Sequence, residues 1–177
     1  MIRAFFAIPV SHQDGMRIRS LLSPITEVLG QSVRWVPMSH WHLTLDFLGN
    51  LPQNSIEKIQ TLLTPMMREI APFTLEIQKI AGFPGKHARI LVAHVVSNSS
   101  LDFLFTQLNE INAAVGIPQE TRSWKPHITL AKFHAPHPAY QPVALHDFSL
   151  QARELVLFES RPDAEGSHYV VLKKILF

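Results

Sequence analysis

The sequence predicts one domain with two lobes that are built from mixed helices and strands. A strand–helix–strand unit occurs twice in the same order, and both copies end in a strand with the pattern histidine, apolar residue, threonine, leucine. The first copy spans residues 2–9, 12–29 and 41–47, and the second spans 89–96, 100–115 and 127–133. Two copies of one supersecondary unit are expected to place the two motifs at equivalent positions on the two lobes.

The composition is that of a well-packed globular domain. The chain has 177 residues, of which 46% are hydrophobic and 17% are charged, enough apolar surface for one core. The net charge of +2 is compatible with phosphate-bearing ligands but does not require them. The absence of cysteine excludes a disulfide framework, a thiolate metal site and a cysteine nucleophile. No apolar run is long enough for a signal peptide or a membrane span, so we expect a cytoplasmic protein.

Apolar periodicity and turn residues predict the elements of the first half. An apolar strand over 2–9 ends at Pro9, and Ser11 with Asp14 resembles a capping box that begins a helix reaching Gly30. The strand over 41–47, which holds the first motif, ends at Gly49 and Asn50. A second helical stripe, which includes Met67, covers about 53–70.

The second half continues with strands and one helix. Alternation predicts a strand over 73–80 that Gly82, Pro84 and Gly85 break, and a strand over 89–96 follows. A helix over about 100–115 stops at Gly116, and the strand over 127–133 holds the second motif. The remaining segments are a proline- and histidine-rich loop over 134–142 and a hairpin with strands at about 153–160 and 168–176.

The repeated motif is the candidate catalytic feature. Positions i and i+2 of a strand project to the same face, so His42 lies beside Thr44 and His127 lies beside Thr129. The leucine and isoleucine residues between them then point to the opposite, buried face. If the two lobes are related by a pseudo-two-fold axis, two imidazoles and two hydroxyls line one cleft.

This set of side chains suits the hydrolysis of phosphate esters. An unperturbed imidazole has a pKa of about 6.5, so near neutral pH one ring is able to activate water while the other donates a proton to the departing sugar oxygen. Threonine hydroxyls can donate hydrogen bonds to the phosphate oxygens. We also expect Lys132, further along the second strand, to share the face of His127 and to add a positive charge. The scheme needs no metal ion.

Other interpretations of these residues stay open. A single strand histidine is commonly a hydrogen-bonded structural residue, although the repeated context favours function. His40 and His42 together suggest a metal site, but Asp46 is the carboxylate near them and no carboxylate cluster supports it. Trp35 and Trp124, each near a motif, are predicted to pack or to stack on a nucleobase. His134 and His137 are predicted to belong to a solvated loop.

The paired motifs resemble those of the two-histidine (2H) phosphoesterases, and in particular the RNA 2′,3′-cyclic phosphodiesterase branch, also called 2′-5′ RNA ligase. The stretches that carry the resemblance are RAFFAIPV, WHLTLDFLGN, ARILVAHV and PHITLAKF, which together cover nearly the whole chain. The resemblance implies an α+β, bilobal duplicated fold with two antiparallel β-sheets lining a central cleft and helices packed outside. Residues 1–177 would form a single domain of two pseudo-symmetric lobes with an interleaved chain.

The resemblance also implies an activity and roles for the motif residues. The reaction would be opening of a terminal 2′,3′-cyclic phosphate to a 2′-phosphate without metal, ATP or other cofactor. His42 and His127 would form the acid–base pair, while Thr44 and Thr129 would hold the phosphate. The sequence does not decide which histidine is the acid, and we favour His42 as proton donor and His127 as proton acceptor.

Two features depart from the family pattern or extend it. Lys132 stands where the branch usually has arginine, which keeps the charge but loses the bidentate fork of a guanidinium group. Asp46 places an acidic group just past the first motif, where it would disfavour an anionic ligand or orient a neighbour.

The expected partners are RNA ends or nucleotides with a 2′,3′-cyclic phosphate, with no membrane and no obligate protein partner, so we expect a monomer. Reversible 2′-5′ ligation is a further expected reaction. A different small cyclic phosphate, a 2′-5′ oligonucleotide substrate, or an RNA-end-binding module without turnover are the alternatives.

Overall fold

The computed structural model describes residues 1–66, 70–85, 87–118, 124–137, 142–163 and 166–177. Its first half holds β1 (Ile2–Pro9), α1 (His12–Leu29), β2 (Val33–Trp35), β3 (His42–Leu51), α2 (Gln53–Met66) and β4 (Phe73–Phe83). The second half holds β5 (Ala88–Val95), α3 (Ser99–Ala114), β6 (His127–His137), β7 (Val143–Ala144), β8 (Ser149–Ala152), β9 (Glu154–Asp163) and β10 (Gly166–Leu176).

The strands form one antiparallel path, which confirms the predicted α+β class. The order is β10–β9–β1–β3–β6–β5–β4–β7, with β2 paired to β6 and β8 paired to β4. Strands β3 and β6 meet through the residue pair Leu43 and Ile128, and both side chains are fully buried. The two halves of the path, which we expected as two sheets, are therefore joined near the first residues of the two motif strands.

The two motif strands have matching neighbours on either side of this bridge. Strand β3 pairs with β1, where Ala7 lies opposite Thr44, and β6 pairs with β5, where Val92 lies opposite Thr129. The register thus gives the two motifs equivalent places about the Leu43–Ile128 pair. The division of residues 1–177 into two pseudo-symmetric lobes stays a prediction.

A bulge follows the threonine of each motif. In β3 the pairing passes from Thr44 to Asp46, which leaves Leu45 unpaired. In β6 it passes from Thr129 to Ala131, which leaves Leu130 unpaired. A bulge adds one residue to the strand and so shifts the alternation of its two faces. Residues beyond the fourth motif position therefore face the opposite way from what simple alternation predicts.

The described helices α1, α2 and α3 pack their apolar stripes into one core with the sheet. The side chain of Ser11 accepts a hydrogen bond of 3.1 Å from the backbone N–H of Asp14, which confirms the predicted start of α1. The buried apolar residues of the helices include Ile18, Leu22, Ile25 and Leu29 of α1, Ile56, Ile59 and Leu63 of α2, and Leu101, Leu104, Leu108 and Ile111 of α3. Among the described residues, no helix is long and apolar enough to cross a membrane.

Several boundaries differ from those predicted. Helix α2 is described only to Met66, Ile70 is buried but not helical, and the predicted stripe residue Met67 lies outside the described residues. Pro65, which cannot donate a backbone hydrogen bond, lies in the last turn of α2.

The predicted loop over 134–142 is wrong at its start, since β6 continues to His137, which pairs with Ala88 of β5. Residues 138–141 of that loop lie outside the described residues. Strands β2, β7 and β8 have four residues or fewer, too few for a periodic signal.

Replacement of the central bridge residue should destabilise the whole fold. Leu43→Ala leaves a cavity where β3 and β6 join, so we expect the free energy of unfolding to fall by about 2–5 kcal/mol. Urea denaturation followed by circular dichroism measures this change. The control is Val28→Ala on the exposed side of α1, where a change within about 0.5 kcal/mol is expected. Equal effects of the two variants would contradict a central role for the bridge.

Candidate active site

The predicted site residues lie together around one cleft of about 630 Å³. His42, Thr44, His127, Thr129 and Lys132 all line it. The first pair comes from β3 and the others come from β6, so the cleft lies over the point where the two motif strands meet. The juxtaposition that the sequence motif predicted is therefore present in the structure.

His42 is held by its own strand and by aromatic rings. Its Nδ1 lies 2.7 Å from the carbonyl oxygen of His40. A carbonyl oxygen only accepts, so Nδ1 carries the proton and donates, and Nε2 is left to act on a ligand. The ring packs 5.2 Å from the ring of Phe5 and edge-on to Tyr169 at 5.3 Å. These contacts fix both the tautomer and the direction of the imidazole.

His127 is held by the same device. Its Nδ1 lies 2.7 Å from the carbonyl oxygen of Lys125, which again is two residues earlier in the chain. Its ring stacks on Phe83, with centroids 4.9 Å apart and planes inclined by 23°. Nε2 of His127 is thus also the nitrogen available for chemistry. Both motif histidines meet the geometric requirement for groups that accept or donate a proton at Nε2.

The antiparallel register brings each histidine toward the threonine of the other motif. Leu43 of β3 pairs with Ile128 of β6. One step along each strand from this pair, position 42 is opposite 129 and position 44 is opposite 127. Each imidazole is therefore accompanied by a hydroxyl donor from the other strand. This alternation of nitrogen and hydroxyl suits a tetrahedral, anionic group placed across both strands.

Burial distinguishes the electrostatics of His42. Its burial among aromatic rings lowers the pKa of His42 below the ordinary value, because desolvation disfavours the imidazolium form. Repulsion from His40 and His127 lowers this pKa further, and the hydrogen bond to the His40 carbonyl opposes the shift. In the free protein near neutral pH, His42 is therefore mainly neutral.

Lys132 reaches the cleft because of the bulge in β6. It lies three residues after Thr129, so simple alternation would place it on the opposite face of the strand. The unpaired Leu130 shifts the pattern, and Leu130 and Ala131 are consecutive buried residues. Lys132 is then exposed on the face of His127 and lines the cleft, so its expected location is met through the bulge and not through the alternation on which we based the expectation.

Asp46 does not line the cleft with the motif residues. Its carboxylate accepts a hydrogen bond from the side-chain amide of Asn112, a buried residue of α3. The bulge at Leu45 accounts for this direction, since it turns position 46 away from the face of His42 and Thr44. Of the two roles predicted for Asp46, the contact supports the orientation of a neighbour rather than repulsion of an anionic ligand.

Several cleft residues were not predicted, because other strands or the bulge in β3 bring them to the cleft. Arg34 belongs to the unpredicted strand β2, Phe47 follows the bulge in β3, and Tyr169 belongs to β10. The FLG sequence after the first motif was the available signal for Phe47. Burial raises the pKa of Tyr169, so its hydroxyl stays protonated at neutral pH and is able to donate a hydrogen bond.

The structure places the two tryptophans and the loop histidines in different surroundings. Trp35 lines the cleft, whereas Trp124 stacks on Phe105 of α3 with planes inclined by 10° and packs against the core. The packing interpretation thus holds for Trp124. His134 is exposed, and the side chain of His137 lies outside the described residues. Within the described ranges, no group of three histidine, cysteine, aspartate or glutamate residues is arranged to hold a metal ion.

Two imidazoles fixed at Nδ1, with two threonine hydroxyls on paired antiparallel strands, define a phosphoesterase of the two-histidine class. A family model described as the 2′-5′ RNA ligase superfamily matches residues 24–163. The chain is 30% identical over 162 residues to the RNA 2′,3′-cyclic phosphodiesterase of Bacillus subtilis, covering 89% of this chain and 88% of that protein. The chain therefore belongs to the 2′-5′ RNA ligase superfamily.

Further relatives agree in sequence and in fold. The RNA 2′,3′-cyclic phosphodiesterase of Thermus thermophilus is 32% identical over 146 residues, which cover 78% of this chain and 73% of that protein. A crystal structure of a protein from Thermus thermophilus is 26% identical with a TM-score of 0.82, covering 99% of this chain and 97% of that one. LigT of Escherichia coli without ligand has a TM-score of 0.81 at 22% identity, covering 99% of this chain and 96% of that one, which shows a shared fold.

The buried histidine should titrate at unusually low pH in the free protein. We expect the imidazole of His42 to have its midpoint below about 6.5, because desolvation and the neighbouring imidazoles disfavour its charged form. Two-dimensional NMR of the imidazole nitrogens, assigned with a His42→Gln variant, measures the midpoint. A midpoint above 6.5 without ligand would contradict the effect of burial. The same spectra check that Nδ1, rather than Nε2, carries the proton in the neutral ring.

Proposed function

We propose that this chain is an RNA 2′,3′-cyclic phosphodiesterase that opens a terminal 2′,3′-cyclic phosphate to a 2′-phosphate. The observation that carries the proposal is the pair of imidazoles in one cleft, each with Nδ1 bonded to a carbonyl oxygen and Nε2 left for chemistry. Relatives at 30% and 32% identity carry the name of this activity. The expected ligand is an RNA end or a nucleotide that bears the cyclic phosphate.

In this mechanism His127 acts as general base and His42 acts as general acid. Nε2 of His127 takes a proton from water as the water oxygen attacks phosphorus. The bond from phosphorus to O3′ breaks, and Nε2 of His42 gives its proton to O3′. The products are a 2′-phosphate monoester and a free 3′-hydroxyl group. His42 then regains a proton and His127 loses one by exchange with solvent.

The lowered pKa of His42 fits the acid role once substrate is bound. A phosphate anion near the ring favours the imidazolium form, so binding raises the pKa that burial lowers in the free protein. Near neutral pH, the imidazolium form is then favoured when an anionic substrate occupies the cleft. An imidazolium of low intrinsic pKa also transfers its proton readily to a poor leaving group.

The two motif threonines bind the reacting phosphate. Thr44 and Thr129 donate hydrogen bonds to the non-bridging oxygens, whose negative charge increases in the transition state. Lys132 adds a positive charge at the edge of the cleft. The proposed chemistry uses no metal ion or other cofactor. We further propose that the protein acts as a monomer in the cytoplasm.

The activity is tested with a cyclic nucleotide in the presence of chelator. Purified protein should convert a 2′,3′-cyclic nucleotide or RNA end to the 2′-phosphate with EDTA present, and phosphorus NMR or chromatography identifies the product. A 3′-phosphate product would contradict the cleavage of the bond to O3′. A strict requirement for an added divalent metal ion would contradict the two-histidine mechanism. Binding of RNA ends with no turnover would favour the binding-module alternative.

The pH profiles of two variants assign the acid and the base. The acid must be protonated, so activity falls as pH rises past its pKa, and the base must be neutral, so activity falls as pH drops past its pKa. His42→Ala and His127→Ala should each lower kcat by about 10²–10⁴-fold. The residual activity of His42→Ala should lack the alkaline limb, and that of His127→Ala should lack the acid limb. The exchanged pattern would reverse the two roles.

The pH dependence of the wild-type enzyme tests whether bound substrate raises the pKa of His42. Burial lowers the pKa of His42 in the free enzyme, and bound phosphate raises it. The profile of kcat/KM reports the free enzyme and that of kcat reports the complex. We therefore expect the alkaline limb of kcat/KM at lower pH than the alkaline limb of kcat. Coincident limbs would show that the substrate does not restore the proton of His42.

A further inference from the structure

Two long cationic side chains lie opposite each other at one end of the cleft. Arg34 of β2 and Lys132 of β6 are register partners, and both line the cleft. Paired residues of adjacent strands project to the same face with their Cβ atoms about 4.5–5.5 Å apart. An anion at this end of the cleft is therefore within reach of an ammonium group and a guanidinium group together.

This pair lies on the side of the strand crossing that holds His42. Since β6 runs antiparallel to β3, the path from His127 through Thr129 to Lys132 follows β3 backward, past His42. The side chain of Arg34 lies on the same side, next to Gly166. One of its guanidinium nitrogens is 3.5 Å from the position that a Cβ atom would occupy on Gly166. Gly166 begins β10, the strand whose Tyr169 packs against His42.

The distance along the strand separates the pair from the reacting phosphate. Thr129 lies opposite His42 in the register that the Leu43–Ile128 pair sets. Because Leu130 is unpaired, Lys132 is two register steps beyond Thr129, as Ile90 is from Val92, which is about 7 Å at about 3.3 Å per residue. If Thr129 holds the reacting phosphate, the ammonium group of Lys132 is placed for a different phosphate group.

We propose that Arg34 and Lys132 form a subsite for the phosphodiester on the 5′ side of the reacting nucleotide. The inference rests on the proposed function, in which His42 protonates O3′. O3′ is attached to C3′, and C3′ leads through C4′ and C5′ to the 5′ phosphodiester. The RNA chain therefore leaves the site on the side of His42, where the two cations lie. The preferred substrate class is an oligonucleotide end rather than a cyclic mononucleotide.

Arg34 and Lys132 would contact this phosphodiester in different ways. A guanidinium group is able to bind two phosphate oxygens as a planar fork, and an ammonium group acts as a compact positive charge. Neither contact reads a base, so the subsite selects chain length and not sequence.

The test compares a dinucleotide with a mononucleotide that share the reacting group. The substrates are adenylyl-(3′→5′)-adenosine 2′,3′-cyclic phosphate and adenosine 2′,3′-cyclic phosphate, measured with EDTA present. We expect wild-type kcat/KM to be at least about tenfold higher for the dinucleotide, and Arg34→Gln and Lys132→Gln each to reduce this ratio by about tenfold. Arg34→Lys and Lys132→Arg keep the charge and should retain most of the preference.

Salt dependence gives a second readout. One additional phosphate contact on a single strand should make the slope of log kcat/KM against log salt concentration steeper by about 0.7 for the dinucleotide. Lys132→Gln should remove most of this difference. Equal slopes for the two substrates in the wild type would overturn the inference.

Two matched variants control for the loss of charge. Arg19→Gln on the exposed side of α1 should leave the ratio unchanged. Lys125→Gln removes an exposed cation next to His127, on the other side of the crossing, and should also leave the ratio unchanged. If Lys125→Gln removes the preference and Lys132→Gln does not, the chain leaves at the other end and the inference is wrong.

The remaining outcomes separate the inference from the proposed function. Equal losses on both substrates in Lys132→Gln would place Lys132 at the reacting phosphate and overturn the subsite. A wild-type protein that opens both substrates equally well would overturn the subsite alone. No turnover of either substrate would overturn the proposed function together with the inference.

Discussion

The contact on which the structure depends is the meeting of two motif strands at Leu43 and Ile128. Each of these residues is the second position of its motif, between the histidine and the threonine, and each is fully buried. Alternation then places the histidine and threonine of both motifs on the opposite face. The hydrophobic contact that joins the two halves of the sheet is thus also the contact that brings both motifs to one face.

The bulges explain why residues beyond the two motifs also line the cleft. They also explain why the two halves of the cleft carry different side chains. A leucine at the fourth position of each motif is left unpaired, and the residue two positions later, Phe47 in β3 and Lys132 in β6, lines the cleft. Both bulges do the same thing to the backbone. The chain uses the two equivalent positions differently, an aromatic ring in one half and a cation in the other.

The features that were predictable from the sequence are those encoded by local periodicity and by repetition. The capping box at Ser11, the helical stripes and the alternation in the motif strands gave α1, α3 and the face of His42 and Thr44. The bulges could not be inferred, because the unpaired residue is an ordinary leucine and the shift depends on the partner strand. Arg34 and Tyr169 were missed for a similar reason, since only tertiary pairing brings β2 and β10 to the cleft.

The same asymmetry distinguishes two histidines whose backbone settings are alike. Both rings donate Nδ1–H to the carbonyl oxygen two residues earlier, so the local chain gives them the same tautomer. The difference comes from the surroundings. His42 is enclosed by Phe5 and Tyr169, whereas His127 has Phe83 stacked on one face of its ring. Desolvation therefore lowers the pKa of His42, and an anion bound beside the ring would oppose this shift. Packing, rather than the motif residues themselves, thus gives the two histidines different electrostatic surroundings, and this difference supports the acid and base roles proposed for them.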